Sequence, residues 1–179
     1  MPKRPPKNKR PAPAPAPAAS AADAALAAAM VEAFSRVYHH GGIRLGRVVL
    51  GGLLAGLLIN VLDFVLHGIW LADDWKQMAI THGVDQAAQQ GGAMVGWVGL
   101  DFLAGLLLAW IYAAIRPRFG AGPLTSLAAG AVLFLAMHSM FASYVWMGFM
   151  PLTLFWKATL AGAATTVPCA LLAGWMYKE

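Results

Sequence analysis

The amino-acid sequence predicts an all-α fold, an integral membrane four-helix bundle preceded by an amphipathic helix and an extended Pro/Ala-rich arm. Three observations lead there. Of 179 residues, 59% are hydrophobic and only 12% charged, against roughly a quarter charged in soluble globular domains. Four runs reach the roughly 18 apolar residues that a membrane-spanning helix needs. One of these runs, from Arg47 to Leu71, also carries Asn60, Asp63 and His67 in its second half. A carboxylate on a lone lipid-facing helix is too costly to keep, so that face must meet protein or water.

Residues 1–19 are basic and then alternate proline with alanine. Proline fixes φ and removes a donor, so an extended, solvated arm is expected there, able to serve as a docking segment for a partner or for anionic lipid. Its small residues precede the apolar run, which argues against a cleavable leader. Residues 20–43 read as an amphipathic surface helix and a hinge. Ser20 with Asp23 forms an approximate capping box, and Leu26, Met30, Phe34 and Tyr38 recur every four residues. His39, His40 and the pair Gly41-Gly42 end it as a polar hinge rather than a metal site.

The membrane domain is expected over 44–179. Its spans are predicted at about 47–72, 91–115, 124–148 and 153–176. On a helix, Gly52, Gly56, Asn60, Asp63 and His67 fall within an arc of about 80°, first small and then polar. The connection 73–90 holds Trp75, Met78 and Ile80 beside Asp74 and Lys76, the pattern of a short interfacial helix stopped by Gly83, with Asp85 as a cap for the second span. That span contains one charge, Asp101, and leads to the basic turn 116–123. The third carries His138. On the fourth, Ala158, Gly162, Thr166, Cys169 and Ala173 make a small-residue face suited to close packing. Pro168 is the one expected helix irregularity, with nearby threonines serving the carbonyl it frees. The single cysteine excludes a disulfide framework within the chain.

Charge sets the orientation. Eight of the thirteen Lys and Arg residues, Arg44 and Arg47 among them, precede the first span; Arg116, Arg118 and Lys178 lie on the same side, leaving Lys76 and Lys157 opposite. Both termini are therefore expected to be cytoplasmic, in a bacterial inner membrane. The arginines Arg44, Arg47, Arg116 and Arg118 mark topology and lipid headgroups. Trp70, Trp75, Trp146 and Trp156 are expected at the outer interface, and Tyr112, Trp175 and Tyr177 at the inner one. The basic excess is thereby a membrane signal, and no nucleic-acid partner is predicted.

By the rise per residue, Asp63, Asp101, His138 and Asn60 lie about 12 to 16 Å from the outer ends of their helices, with His67 at about 6 Å. Asn60, Asp63, His67, Asp101 and His138 are thus candidates for one intramembrane polar cluster drawn from three spans. Three readings are open: a satisfied network fixing helix register, a proton- or ion-linked transport site, and haem held by His67 and His138. The third is disfavoured, because those histidines differ by about 9 Å in depth and an axial pair cannot; no metal or cofactor is predicted. No Gly-x-Ser-x-Gly, phosphate-loop or metalloprotease motif occurs, so no catalytic residue is assigned.

The turn Trp110-Ile111-Tyr112-Ala113-Ala114-Ile115-Arg116-Pro117-Arg118-Phe119-Gly120 resembles that of a widespread family of uncharacterised bacterial membrane proteins. Gly51-Gly52-Leu53-Leu54-Ala55-Gly56 with Asn60, Asp63 and Phe64, Asp101-Phe102 and the closing Trp175-Met176-Tyr177-Lys178-Glu179 fit the same pattern. The likeness covers about residues 44–179; it implies a four-helix inner-membrane protein and brings no activity. Residues 1–43 look like an addition to that form. The sequence as a whole points to a non-enzymatic accessory or scaffold subunit with a membrane-protein partner or a homo-oligomer. The alternative is a small proton-coupled transporter using the Asp/His cluster.

Overall fold

The computed structural model describes residues 21–38, 42–84 and 92–177. The arm 1–19, Ser20, the His39-His40-Gly41 hinge and Asp85 lie outside the described residues. Contacts divide the chain into two units, 1–41 and 42–179, and each is described by itself.

The first unit contains α1 (Ala21–Tyr38), 18 residues. Alanine dominates it, and alanine has the highest intrinsic helix propensity. Leu26, Met30 and Val31 are exposed on it.

The second unit holds α2 (Leu45–Asp63), which passes without interruption into a π-helical segment (Phe64–Trp70), then α3 (Ala72–Thr81), α4 (Gly92–Phe119), α5 (Pro123–Trp146) and α6 (Leu152–Met176). No strand occurs among the described residues. Four helical runs, Leu45–Trp70, Gly92–Phe119, Pro123–Trp146 and Leu152–Met176, are long and apolar enough to cross a membrane. The fold is the all-α bundle expected of a multi-pass membrane protein.

Glycines end the helices where the chain must reverse. Gly83 has φ +65°; its N–H donates to Ile80 O and that of Val84 to Ala79 O, at 3.1 and 2.9 Å. This pair of bonds closes the end of α3 with a left-handed residue. The same pattern recurs at Gly148 (φ +77°), with Gly148 N–H on Val145 O and Phe149 N–H on Tyr144 O; Pro151 then prevents continuation of α5. The largest boundary difference is in α4, which runs through Pro117 to Phe119 instead of stopping at 115. Pro117 lies two residues from the end of α4, so the bond it removes and the crowding of its ring against the preceding turn are confined to the helix terminus.

α2 packs against α4 and α6, and α5 packs against α6 and α4. The α2–α4 contact is a backbone contact. A Cβ added to Gly105 would strike Gly52 O and Gly56 N; one on Gly52 would lie 2.7 Å from Leu106 Cα, and one on Gly56 2.8 Å from Phe102 Cα. On the other side, Gly51 sits against Ala173 and Met176, and Gly130 of α5 against Ala170 and Thr166 of α6. The buried core is accordingly made of small residues, Ala55, Ala109, Ala129, Cys169 and Ala173, around Leu108. Close helix approach of this kind replaces the hydrophobic driving force that lipid does not provide.

The core continues to Tyr112 and Tyr177, 3% and 5% exposed. Their rings meet edge to face at 5.8 Å. Tyr177 Oη accepts from Arg44 N–H at 3.0 Å, the Arg116 guanidinium lies 5.6 Å over its ring, and Tyr112 Oη accepts from Gly122 N–H at 3.4 Å. These two tyrosines were expected at a lipid interface. They are buried instead, because their hydroxyls serve backbone donors where α2 begins and where α4 turns into α5.

At the opposite end Met150, Leu154 and Ala158 form a second cluster with Trp75 and Met78, so α3 folds against the α5–α6 end. Lys157 of α6 donates to both carboxylate oxygens of Asp74 at 2.8 Å. His82 Nε2 lies 2.7 Å from Phe149 O. Trp75, half-buried, packs against this cluster.

The backbone contact gives a direct test. Gly105→Val should lower stability by about 1–3 kcal/mol, the range for overpacking a tight site. Gly96→Val, where an added Cβ meets nothing within 4 Å, should be close to neutral. Thermal unfolding in detergent, followed by circular dichroism, compares the two.

Candidate functional site

The predicted polar face of the first span is divided among three neighbours. Gly52 and Gly56 hold α4 at contact distance. Asn60, one turn further, donates from Nδ2 to Gly56 O at 2.9 Å and reaches Val98 O of α4 at 3.5 Å. Asp63 turns to α6, where its Oδ1 accepts from Thr165 Oγ1 at 2.9 Å. His67 turns to α3, its Nδ1 accepting from Trp75 Nε1–H at 3.2 Å, with the two rings 5.8 Å apart. A regular helix would stack Asp63 and His67 on one face; the π segment that begins at Phe64 re-registers His67 toward α3.

Asp101 lies on the α4 face that continues from Gly105, four residues before it. Its carboxylate is partly exposed, and among the described residues it accepts no hydrogen bond. Asp63 and Asp101 lie within each other's field, and His67 within that of Asp63 and of His138. The four titratable groups expected to meet thus share one electrostatic neighbourhood, without direct bonds among them.

His138 is held differently. Its Nδ1 is 3.0 Å from Phe134 O. The ring stacks on Phe134 at 3.9 Å and meets the edge of Phe141 at 5.6 Å. Gly162 of α6 makes room for it: a Cβ there would lie 2.6 Å from His138 Cε1. Its Nε2 is buried and has no hydrogen-bond partner among the described residues. Gly162 and Thr166 both face α5, the former under His138 and the latter against Gly130. An unserved buried nitrogen is uncommon enough to require a role or a partner.

Two features of the site differ from the sequence-based expectation. Thr165, expected with its neighbour to serve the carbonyl freed by Pro168, spends its hydroxyl on Asp63 instead, and α6 is continuous through Pro168. Gly105, Ala109 and Ala113 recur every four residues after Asp101; that spacing signals the face that meets α2. The π segment had no sequence signal beyond the polar residues that flank and occupy it. It also corrects the expectation that Pro168 would be the one irregularity.

The end of the cluster away from the tyrosines is open. From Met94 to Leu100 every residue of α4 is exposed, with Trp97 at 66% and Val95 at 73%. The α2–α4 contact is therefore concentrated below Asp101, toward the tyrosines. A cleft of about 320 Å³ lined by Asp74, Thr81, His82, Gly148 and Thr153 shares no residue with the polar cluster. Among the described residues no three His, Cys, Asp or Glu side chains are grouped as metal ligands. At the basic end, Arg44, Arg116 and Arg118 extend from the same side of the bundle as Tyr177, and Arg47 is partly buried one turn into α2.

Comparison with family models, curated proteins and solved structures finds no match to this chain.

The Thr165–Asp63 bond is separable from its surroundings. Thr165→Val keeps the shape and removes the donor, and should cost about 1 kcal/mol, while Thr165→Ser should retain most of the stability. Detergent unfolding midpoints of the two variants check this.

Proposed function

We propose that this protein is a non-enzymatic component of a membrane assembly, an accessory or scaffold subunit packed in the bilayer through its glycine faces. The observation that carries the reading is Asp101. It sits ten residues into a 28-residue apolar helix, partly exposed and unbonded among the described residues, next to the stretch Met94–Leu100 that the bundle leaves uncovered. A carboxylate at that depth requires protein or water around it, and a neighbouring subunit supplies the former. The basic residues at the Tyr177 end, Arg44, Arg47, Arg116 and Arg118, support a cytoplasmic placement of that end in a bacterial inner membrane, where they meet lipid headgroups. The resemblance of residues 44–179 to a family of four-helix inner-membrane proteins fits the same picture, and the added arm fits a docking role. No cofactor enters this reading.

A second reading, small proton-coupled transport through Asp63, Asp101 and His138, is favoured by one observation. The groups approach one another without satisfying one another, and His138 Nε2 is left over. A purely structural network would be closed.

Purification from native membranes in a gentle detergent, reading mass and copurifying chains, separates these. The assembly reading expects a stoichiometric complex with itself or another membrane protein. Asp101→Leu should weaken that complex about tenfold or more, in line with the loss of a buried charge-assisted contact, while leaving the bundle folded. A monomer in wild type and variant alike overturns it. In liposomes, proton-coupled flux lost in Asp63→Asn would favour transport.

A further inference from the structure

The π segment Phe64–Trp70 is the least regular part of the spans, and none of its seven residues is buried. Runs of π-helix are rare and persist where their surroundings hold them. Here the holding contacts are at the two ends. Asp63, immediately before the segment, is fixed by Thr165. Leu71, immediately after it, is fully buried, and its N–H closes on Leu66 O at 3.0 Å. Between them the segment packs on α3 and α6, and among the described residues one side-chain hydrogen bond ties it to α3: Trp75 Nε1–H to His67 Nδ1.

The chemistry of that bond is one-sided. Indole nitrogen can only donate, so His67 Nδ1 must present its lone pair and the neutral ring carries its proton on Nε2. Adding a proton to Nδ1 turns acceptor into donor, and two N–H groups then face each other. Trp75 cannot follow, because it is packed with Met150, Leu154 and Ala158 and α3 is held there by Lys157–Asp74. The charged and titratable groups on the surrounding elements are Asp63 on α2, Asp73, Asp74, Lys76 and His82 on α3, His138 on α5 and Lys157 on α6. Of these, Asp63 and His138 are the ones close enough to bear on the charge of His67. Asp74 is occupied by Lys157.

We propose that the His67–Trp75 hydrogen bond is a proton-operated latch between the first span and α3. Neutral His67 holds the π segment against the α3 cap; protonated His67 releases Trp75 and turns toward Asp63. The segment loses its hydrogen-bonded tie to α3, and the span is free to take up α-helical register between Asp63 and Leu71. The device rests on the tautomer and on the fixed position of Trp75, and holds whether the protein is a scaffold or a transporter.

The test uses the full chain in lipid nanodiscs with ¹⁵N-labelled tryptophan. The indole N–H signal of Trp75 is identified among the seven tryptophans by its loss in Trp75→Phe. Between about pH 8 and pH 5, the range in which histidine changes charge, that signal should shift with a single titration. Over the same range backbone amides of Phe64–Leu71 should exchange about fivefold faster after correction for intrinsic rates, the factor set by one neutral hydrogen bond. In His67→Gln the amide oxygen accepts the indole proton at every pH, so the signal should stay at its high-pH position. In His67→Leu it should stay at the unbonded position. His82→Gln, at the far end of α3, should titrate like the wild type. A wild-type signal that does not move, a titration that survives in His67→Gln, or one abolished by His82→Gln overturns the latch.

Discussion

The contact among Gly52, Gly56 and Gly105 governs the arrangement of the whole bundle. With hydrogen in place of Cβ at all three positions, α2 and α4 approach until backbone meets backbone. In lipid, where burying leucine against leucine gains little, such close packing is the principal source of helix association. It also fixes where the helices are tight and where they are not. Below the contact lie the alanine-lined core and the tyrosine pair; above it α4 departs, and Met94 to Leu100 are left uncovered. The polar residues sit at that divergence.

This placement gives each polar group a different environment. Asp63, on the α6 side, finds Thr165. Asn60, in the narrowing gap, falls back on its own helix and only reaches α4 at 3.5 Å. Asp101, on the departing helix, accepts no hydrogen bond among the described residues. His138 is enclosed by Phe134, Phe141 and Gly162, which shape a slot for the ring without serving its second nitrogen. The result is a cluster coupled by charge and not by a closed set of hydrogen bonds. That distinction matters for function, since a closed network rigidifies while an open one leaves groups able to bind a proton or a neighbouring chain.

Much of this was legible in the chain. Span number and helix class came from apolar run length, because backbone satisfaction in lipid leaves few alternatives. The glycine face of α2 came from helical periodicity. What periodicity could not supply was partner identity. Spacing places Asp63 and His67 on one arc, but which neighbour occupies that arc depends on crossing geometry and on the π segment. Thr165 looked like a servant of Pro168 because local rules see only its own helix. Tyr112 and Tyr177 looked interfacial because amphipathic rings near helix ends usually are; their burial depends on backbone donors brought from Arg44 and Gly122, which no local pattern in the sequence connects to them.

The π segment joins these themes. The first span is fixed at one end by glycine contact and at the other by the α3 cap, and the two restraints are set by different helices. A regular helix has no freedom to satisfy both if the residue count between them does not match; one wide turn absorbs the mismatch. It does so between Asp63, which is hydrogen-bonded from α6, and Leu71, the first fully buried residue beyond the span. The irregularity therefore lies where restraint from the bundle below gives way to restraint from the cap above, and His67 is the polar side chain in the interval that reaches across to that cap.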